Sequence, residues 1–213
     1  MNEKSKQRAT RGLWVLWACL FMGSLAVSAN GLTAEQRVQN MAEELMELSR
    51  SNETLEVREA KFCQMIQKNM DFQGMVNTLL GIYLRKAPSE SVETFYAIAP
   101  SFAFHYLKRI SDMKDLSVEI KSIHKISSGK YILVKTKFIE KNTPYKISFL
   151  LSIQEGGELL IKDVRFEGVS MLLTYRQQFQ SRLQHLRRQN TPDPVLTLVE
   201  EVEAKLTHPC PPH

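Results

Sequence analysis

Apolar residues change their spacing twice along this chain, and each change marks a change of secondary structure. From Val38 they recur as Met41, Ala42, Leu45 and Met46, one face of a helix with three to four residues per turn. Thr33-Ala34-Glu35-Gln36 precedes that run as a capping box, with a hydroxyl to accept a free backbone N–H and an amide to reach back. A second helix is predicted from Leu55 to Asn69. Asp71 then caps a third, whose face carries Phe72, Met75, Val76, Leu79, Leu80, Tyr83 and Leu84. Pro88 and Ser89 open a fourth helix running towards Met113. Pro100 is expected to kink or break it, because proline lacks the N–H donor and crowds the preceding turn.

From Leu116 the spacing becomes alternate. Val118, Ile120 and Ile126 are assigned to one face of a first strand, with Ser122 and His124 as polar exceptions on it. Ile132, Val134, Thr136 and Phe138 share a face of the second, and Tyr145, Ile147, Phe149, Leu151 and Ile153 a face of the third. Ser127-Ser128-Gly129-Lys130, Lys141-Asn142-Thr143-Pro144 and Glu155-Gly156-Gly157 are the turns, and Leu159 to Glu167 is a fourth strand. After Gly168 and Ser170 the helical spacing returns with Leu172, Tyr175, Phe179, Leu183 and Leu186. A last helix follows Thr191-Pro192-Asp193-Pro194 and carries Val195, Leu196, Val199, Val202 and Leu206. The fold class is therefore α+β: a curved antiparallel four-stranded sheet whose apolar face is covered by helices. Residues 30–206 make a single domain, and 207–213 form a tail with no reason to fold.

The first 29 residues follow another rule. Lys4, Lys6, Arg8 and Arg11 precede an uncharged stretch from Gly12 to Ala29, and Val27-Ser28-Ala29 supplies small residues. This is the pattern of a secretory signal cleaved after Ala29. Two other readings compete: a retained single-span anchor, although the run is short against the ~20 residues a span needs, and lipidation at Cys19, although Trp17 is bulky for a lipobox. Cleavage changes the charge. The whole chain is +5, but 24 basic and 22 acidic residues remain after it, a net of +2. The basic character thus belongs mostly to the leader and argues for no nucleic-acid partner.

Chemistry-bearing motifs are sparse. The histidines are scattered, and no Cys-x-x-Cys, His-Glu-x-x-His, phosphate loop or nucleophile elbow occurs. The apolar sheet face offers no carboxylate in its first three strands. Asp163 on the fourth is read as a structural hydrogen-bond or ion-pair partner rather than a proton carrier. Cys63 and Cys210 survive cleavage. They are read as separate, one a small buried helix residue and the other in a loose tail, although an oxidising compartment would allow them to join. Lys121, Lys125, Lys135, Lys137 and Lys146 are placed on the opposite sheet face, as a solvated surface or an attraction for anionic headgroups or an acidic partner.

Asp163-Val164, Glu167-Gly168-Val169-Ser170, Tyr175-Arg176 and Phe179 resemble the signature segment of the MlaC, or toluene-tolerance, phospholipid-binding proteins. Asp71-Phe72, Met75, Leu80-Gly81, Tyr83, Arg85, Pro88 and Phe95 resemble that family's central helices. The resemblance runs from about Thr33 to Leu206. It departs at Leu159, where a Trp is frequent, at Thr174, where an Asn is common, and at Pro100. It implies a cone like that of nuclear transport factor two with a helical extension, and a soluble, monomeric periplasmic carrier, not an enzyme. Its cargo is phospholipid, its acyl chains held between sheet and helices with the headgroup outside, and no other cofactor is implied. The implied partners are an inner-membrane ABC-type lipid transporter complex and an outer-membrane lipoprotein complex, with transient membrane contact. The candidate lipid-lining residues are Met75, Leu79, Tyr83, Phe102, Leu107, Val134, Phe138, Phe149, Leu151, Val164, Phe166, Leu172 and Tyr175. Periodicity alone does not separate a hollow interior from a filled one. An isomerase-like enzyme on the same cone and an envelope scaffold with a packed core remain as alternatives. In the turn itself, Arg176 is read as a partner for Glu167 ahead of a headgroup phosphate.

Overall fold

Thr33 starts the first helix as its spacing predicts: its hydroxyl accepts from Gln36 N at 3.2 Å, and Gln36 Oε1 accepts from Thr33 N at 2.9 Å. The computed structural model describes residues 32–206 and Cys210. The leader pattern, Cys19 and the remaining tail residues lie outside the described residues. The element order is α1 (Ala34–Arg50), α2 (Leu55–Asn69), α3 (Phe72–Leu80), a 3-10 turn (Gly81–Lys86), α4 (Ser89–Ser111), β1 (Ser117–Ile126), β2 (Tyr131–Glu140), β3 (Thr143–Ile153), β4 (Leu159–Phe166), β5 (Val169–Ser170), α5 (Met171–Arg188) and α6 (Pro194–Glu203). No helix among the described residues is long and apolar enough to cross a membrane.

The sheet is antiparallel in the order β1-β2-β3-β4-β5, one strand more than expected. The addition is two residues long: Val169 and Ser170 turn back to pair with Phe166 and Arg165 before α5 begins. Lys141 and Asn142, both at positive φ, make the tight turn between β2 and β3, so Thr143 and Pro144 belong to the strand.

Strand β1 corrects the sequence reading in a way that matters for chemistry. Its pairing slips between Ile120, opposite Thr136, and Ser122, opposite Lys135. The extra residue, Lys121, is a bulge, and a bulge reverses which face the following residues occupy. Ile126 therefore leaves the face of Val118 and Ile120. Ser122 and His124 leave the covered face too, while Ile123 joins it opposite Val134 and Lys125 opposite Ile132. The lysines of the outer face reduce to Lys135, Lys137 and Lys146, with Lys121 at the bulge. That face carries acid as well: Lys137 pairs across to Glu119, whose carboxyl is held below its usual range by a hydrogen bond from Lys121. The interleaving fits a solvated face.

Two further expectations give way to local geometry. The third helix stops at Leu80 because Gly81 takes φ 53° and ψ −118°, a conformation that side chains resist. A Cβ there would also lie 2.6 Å from Gln180 Nε2 on α5. Tyr83 stays buried, but on the 3-10 turn. Helix α4, by contrast, is not broken at Pro100. Proline forfeits one helical hydrogen bond, and the buried Phe102, Ala103 and Phe104 of the next turn hold the helix in register.

The interior divides into two apolar clusters. One joins α1, α2 and the end of α4 to the covered sheet face, with Phe138, Ile147 and Leu151 fully buried. The other joins α3, the 3-10 turn, the start of α4, α5 and α6 around Phe95, Leu183 and Val199. Arg182 on α5 forks onto Glu201 of α6 at 2.9 and 3.2 Å, and Arg187 sits 5.8 Å above the Tyr83 ring. Helix α4 serves both clusters: Phe95, Ala99 and Phe102 belong to the second, Ala103 and Phe104 to the first. Burying side chains of this kind contributes about 1.5–3 kcal/mol each.

The tail is not loose at Cys210. It is joined to Cys63 of α2 by a disulfide, with Cα atoms 5.7 Å apart, and its N–H donates to Ser101 Oγ at 2.9 Å. The bond overturns the expectation of separate cysteines, since a separation of 147 residues along the chain carries no local signal.

Candidate functional site

One cavity of interest lies on the seam between the two clusters and a second lies beside it within the sheet-side cluster; residue 70 shows how the chain builds that seam. Met70 follows α2 in an extended conformation and bridges to Ile161 of β4, and Asp71 N donates to Ile161 O at 2.9 Å. The α2–α3 junction is thereby fastened to β4 at the buried Ile161. The Asp71 carboxylate caps α3 by accepting from Gly74 N at 2.8 Å and also accepts from Ser152 Oγ at 3.0 Å and Gln154 Nε2 at 3.4 Å. Position 74 has to be glycine for this: a Cβ would sit 2.2 Å from Asp71 Oδ2. Across the seam, Asp163 accepts from Leu172 N at 3.1 Å and from Arg165 Nε at 3.4 Å, while Ser170 Oγ accepts from Leu173 N. Asp163 is 2% exposed, and its oxygens hold the start of α5 as a structural partner.

Between these fixed points lie two apolar cavities. The first, of about 40 Å³, is lined by Met75 and Leu79 of α3, Phe102, Ala103, Tyr106 and Leu107 of α4, Met171, Leu172 and Tyr175 of α5, Asp163 and Val164 of β4, and Met70. The second, of about 30 Å³, lies beneath α1 and α2 and is lined by Met41, Leu45, Phe62, Met65, Ile66, Asn69, Met70, Leu107, Ile110, Phe149, Ile161 and Val164. Met70, Leu107 and Val164 border both. The first is nearer to solvent, since Tyr106 in its wall is 38% exposed. Tyr106, Tyr175 and Phe102 meet there edge-on or tilted, with centroids 4.4–5.1 Å apart. Burial pushes the Tyr175 phenol up, and Tyr106 beside it adds to the shift. Neither tyrosine hydroxyl engages Asp163, whose bonds go to Leu172 and Arg165. Among the described residues no group of three His, Cys, Asp or Glu is placed to hold a metal ion.

Of the residues singled out from the sequence, Met75, Leu79, Phe102, Leu107, Val164, Leu172 and Tyr175 line the first cavity, and Phe149 lines the second with Leu107 and Val164. Val134, Phe138 and Leu151 are packed solidly in the sheet-side cluster and border neither. Tyr83 lies under Arg187, and Phe166 is 40% exposed against Tyr145, beyond the helical cover. Glu167 accepts from Lys146 N at 2.7 Å, not from Arg176, which faces the Gly81 backbone. The sequence reading passed over Met70, Ala103, Tyr106 and Met171. The methionines carry one signal: Met41, Met65, Met70, Met75 and Met171 all border the cavities, five of the nine in the chain. Methionine is unbranched and flexible, and it fills space that must change shape.

Residues 35–197 match the MlaC protein family. Among solved structures, the phospholipid-binding protein of Ralstonia solanacearum, determined in complex with a phospholipid, aligns with a TM-score of 0.70 at 14% sequence identity, over 83% of this chain and 100% of its own. At that identity the likeness is one of fold. No curated protein matches the chain.

Proposed function

The chain belongs to the MlaC protein family, and from that membership we propose that it carries phospholipid without catalysing a reaction, its acyl chains held along the seam between the two clusters. The observation that carries this reading is the pair of apolar, methionine-rich cavities, one on that seam and one adjoining it inside the sheet-side cluster. At about 40 and 30 Å³ each has room for a few water molecules and not for an acyl chain. Seating an acyl chain therefore parts α4 and α5 along a surface whose polar groups are the paired Tyr106 and Tyr175 hydroxyls and the hydrogen-bonded Asp163 and Asn69. Each methylene then removed from water contributes about 0.8 kcal/mol.

Phospholipid is the cargo in this account, and no cofactor takes part. The enzyme alternative lacks support where it would need it, because the buried carboxylate at the cavity caps a helix. The Cys63–Cys210 disulfide and the leader pattern favour an oxidising compartment, which we take to be the periplasm. There the protein works as a monomer, exchanging lipid with an ABC-type transporter complex at the inner membrane and a lipoprotein complex at the outer membrane. The test is transfer of a fluorescent phospholipid from donor to acceptor vesicles. Purified protein is expected to raise the rate in proportion to its concentration; a rate that stays at the vesicle-only value contradicts the carrier.

A further inference from the structure

Leu107 sits midway along a line of α4 residues that runs from one cavity to the other. Ala103, four residues earlier, borders the first cavity, and Ile110, three later, borders the second. That spacing puts all three on one helical face over about 10 Å. Leu107 itself borders both cavities, met by Met70 from the α2–α3 junction and Val164 from β4, so three separate elements contribute to one apolar partition. The two sides differ. The outer cavity includes the exposed Tyr106, whereas Met41, Leu45, Phe62 and Ile66 of the inner one are all buried.

We propose that the Leu107 side chain, backed by Met70 and Val164, gauges the length of the acyl chain that the protein holds. The inference rests on the carrier reading and adds a specificity-determining residue to it. A chain entering beside Tyr106 fills the outer cavity first and meets the partition end-on. A chain that stops there leaves the inner cavity empty. A longer one reaches the inner cavity only by displacing Leu107, and Met70 is the flexible neighbour able to yield. Because each further methylene taken out of water changes affinity by a factor of about four, the size of residue 107 sets where the gain ends.

The experiment loads the full-length mature protein from vesicles of phosphatidylcholines with graded tail lengths in equal amounts, and mass spectrometry reads the bound species. Leu107→Ala is expected to raise the ratio of longest to shortest bound tail roughly tenfold, the gain from one to two more buried methylenes. Leu107→Phe is expected to lower it. Met70→Ala, which opens the same partition from another element, is expected to move the ratio in the direction of Leu107→Ala and so separates gauging from damage to α4. An unchanged ratio in all three variants, each carrying lipid, overturns the gauge and leaves the carrier standing. A wild-type protein that takes up no phosphatidylcholine overturns both.

Discussion

Reducing the Cys63–Cys210 disulfide is expected to lower the unfolding free energy by about 4–5 kcal/mol, and replacing both cysteines by alanine is expected to do the same. The bond spans 147 residues. Closing a loop of roughly that size removes chain entropy from the unfolded ensemble, by about 4.7 kcal/mol for a loop near 100 residues. It is also a tie between the two halves of the interior. Cys63 belongs to the cluster against the sheet, and Cys210 follows α6, which belongs to the other. Opening the bond frees the segment after α6 from α2 and leaves the hydrogen bond to Ser101 as its anchor. For a domain of this size the melting temperature should fall by roughly 10–20 °C. Urea unfolding with and without reductant measures it, and coincident curves would show that the bond contributes nothing.

Replacing Ala103 by tryptophan is expected to weaken phospholipid binding roughly a hundredfold while the protein remains folded. Ala103 is the smallest residue in the wall of the outer cavity and is 6% exposed. An indole there occupies the space into which a chain would grow and closes the approach from Tyr106. Excluding about four methylenes at ~0.8 kcal/mol each removes about 3 kcal/mol, which is that factor in affinity. The cost to the fold is smaller, about 1–3 kcal/mol for overpacking, and part of it is returned by filling the void. Titration with a fluorescent phospholipid, alongside far-ultraviolet circular dichroism, separates the two effects. Undiminished binding by a folded variant would place the lipid elsewhere.

What could be read from the sequence was what is local. Thr33 and Gln36 lie three residues apart, and their capping box forms as expected. Asp71 caps α3 for the same reason, and α2 runs over the expected Leu55–Asn69. What escaped was decided across the fold. The bulge at Lys121 conserves alternation on both sides of itself, so a strict period of two gives the wrong face after it. Gly81 sits in a stretch with unbroken helical spacing, and only its backbone angles and the approach of Gln180 end the helix. The disulfide depends on two cysteines meeting in space.

The candidate site was legible to the same extent. Met75, Leu79, Phe102 and Tyr175 carry the apolar faces of three helices that converge on the outer cavity, and periodicity finds such faces. It found Val134, Phe138 and Leu151 equally well, and those are packed tight, because alternation reports which way a residue points and nothing about the space in front of it. Ala103 and Met70 went unnoticed for the opposite reason. A small residue at a wall and a methionine at a helix junction gain their meaning from the volume beside them.

The most direct test of the carrier account is native mass spectrometry of the protein purified from cells without detergent. The account predicts a species heavier than the polypeptide by the mass of a phospholipid, which collapses to the bare chain in organic solvent and releases a diacyl lipid to the extract. Protein that emerges only at the mass of its own chain, and stays so after incubation with phospholipid vesicles, would contradict it.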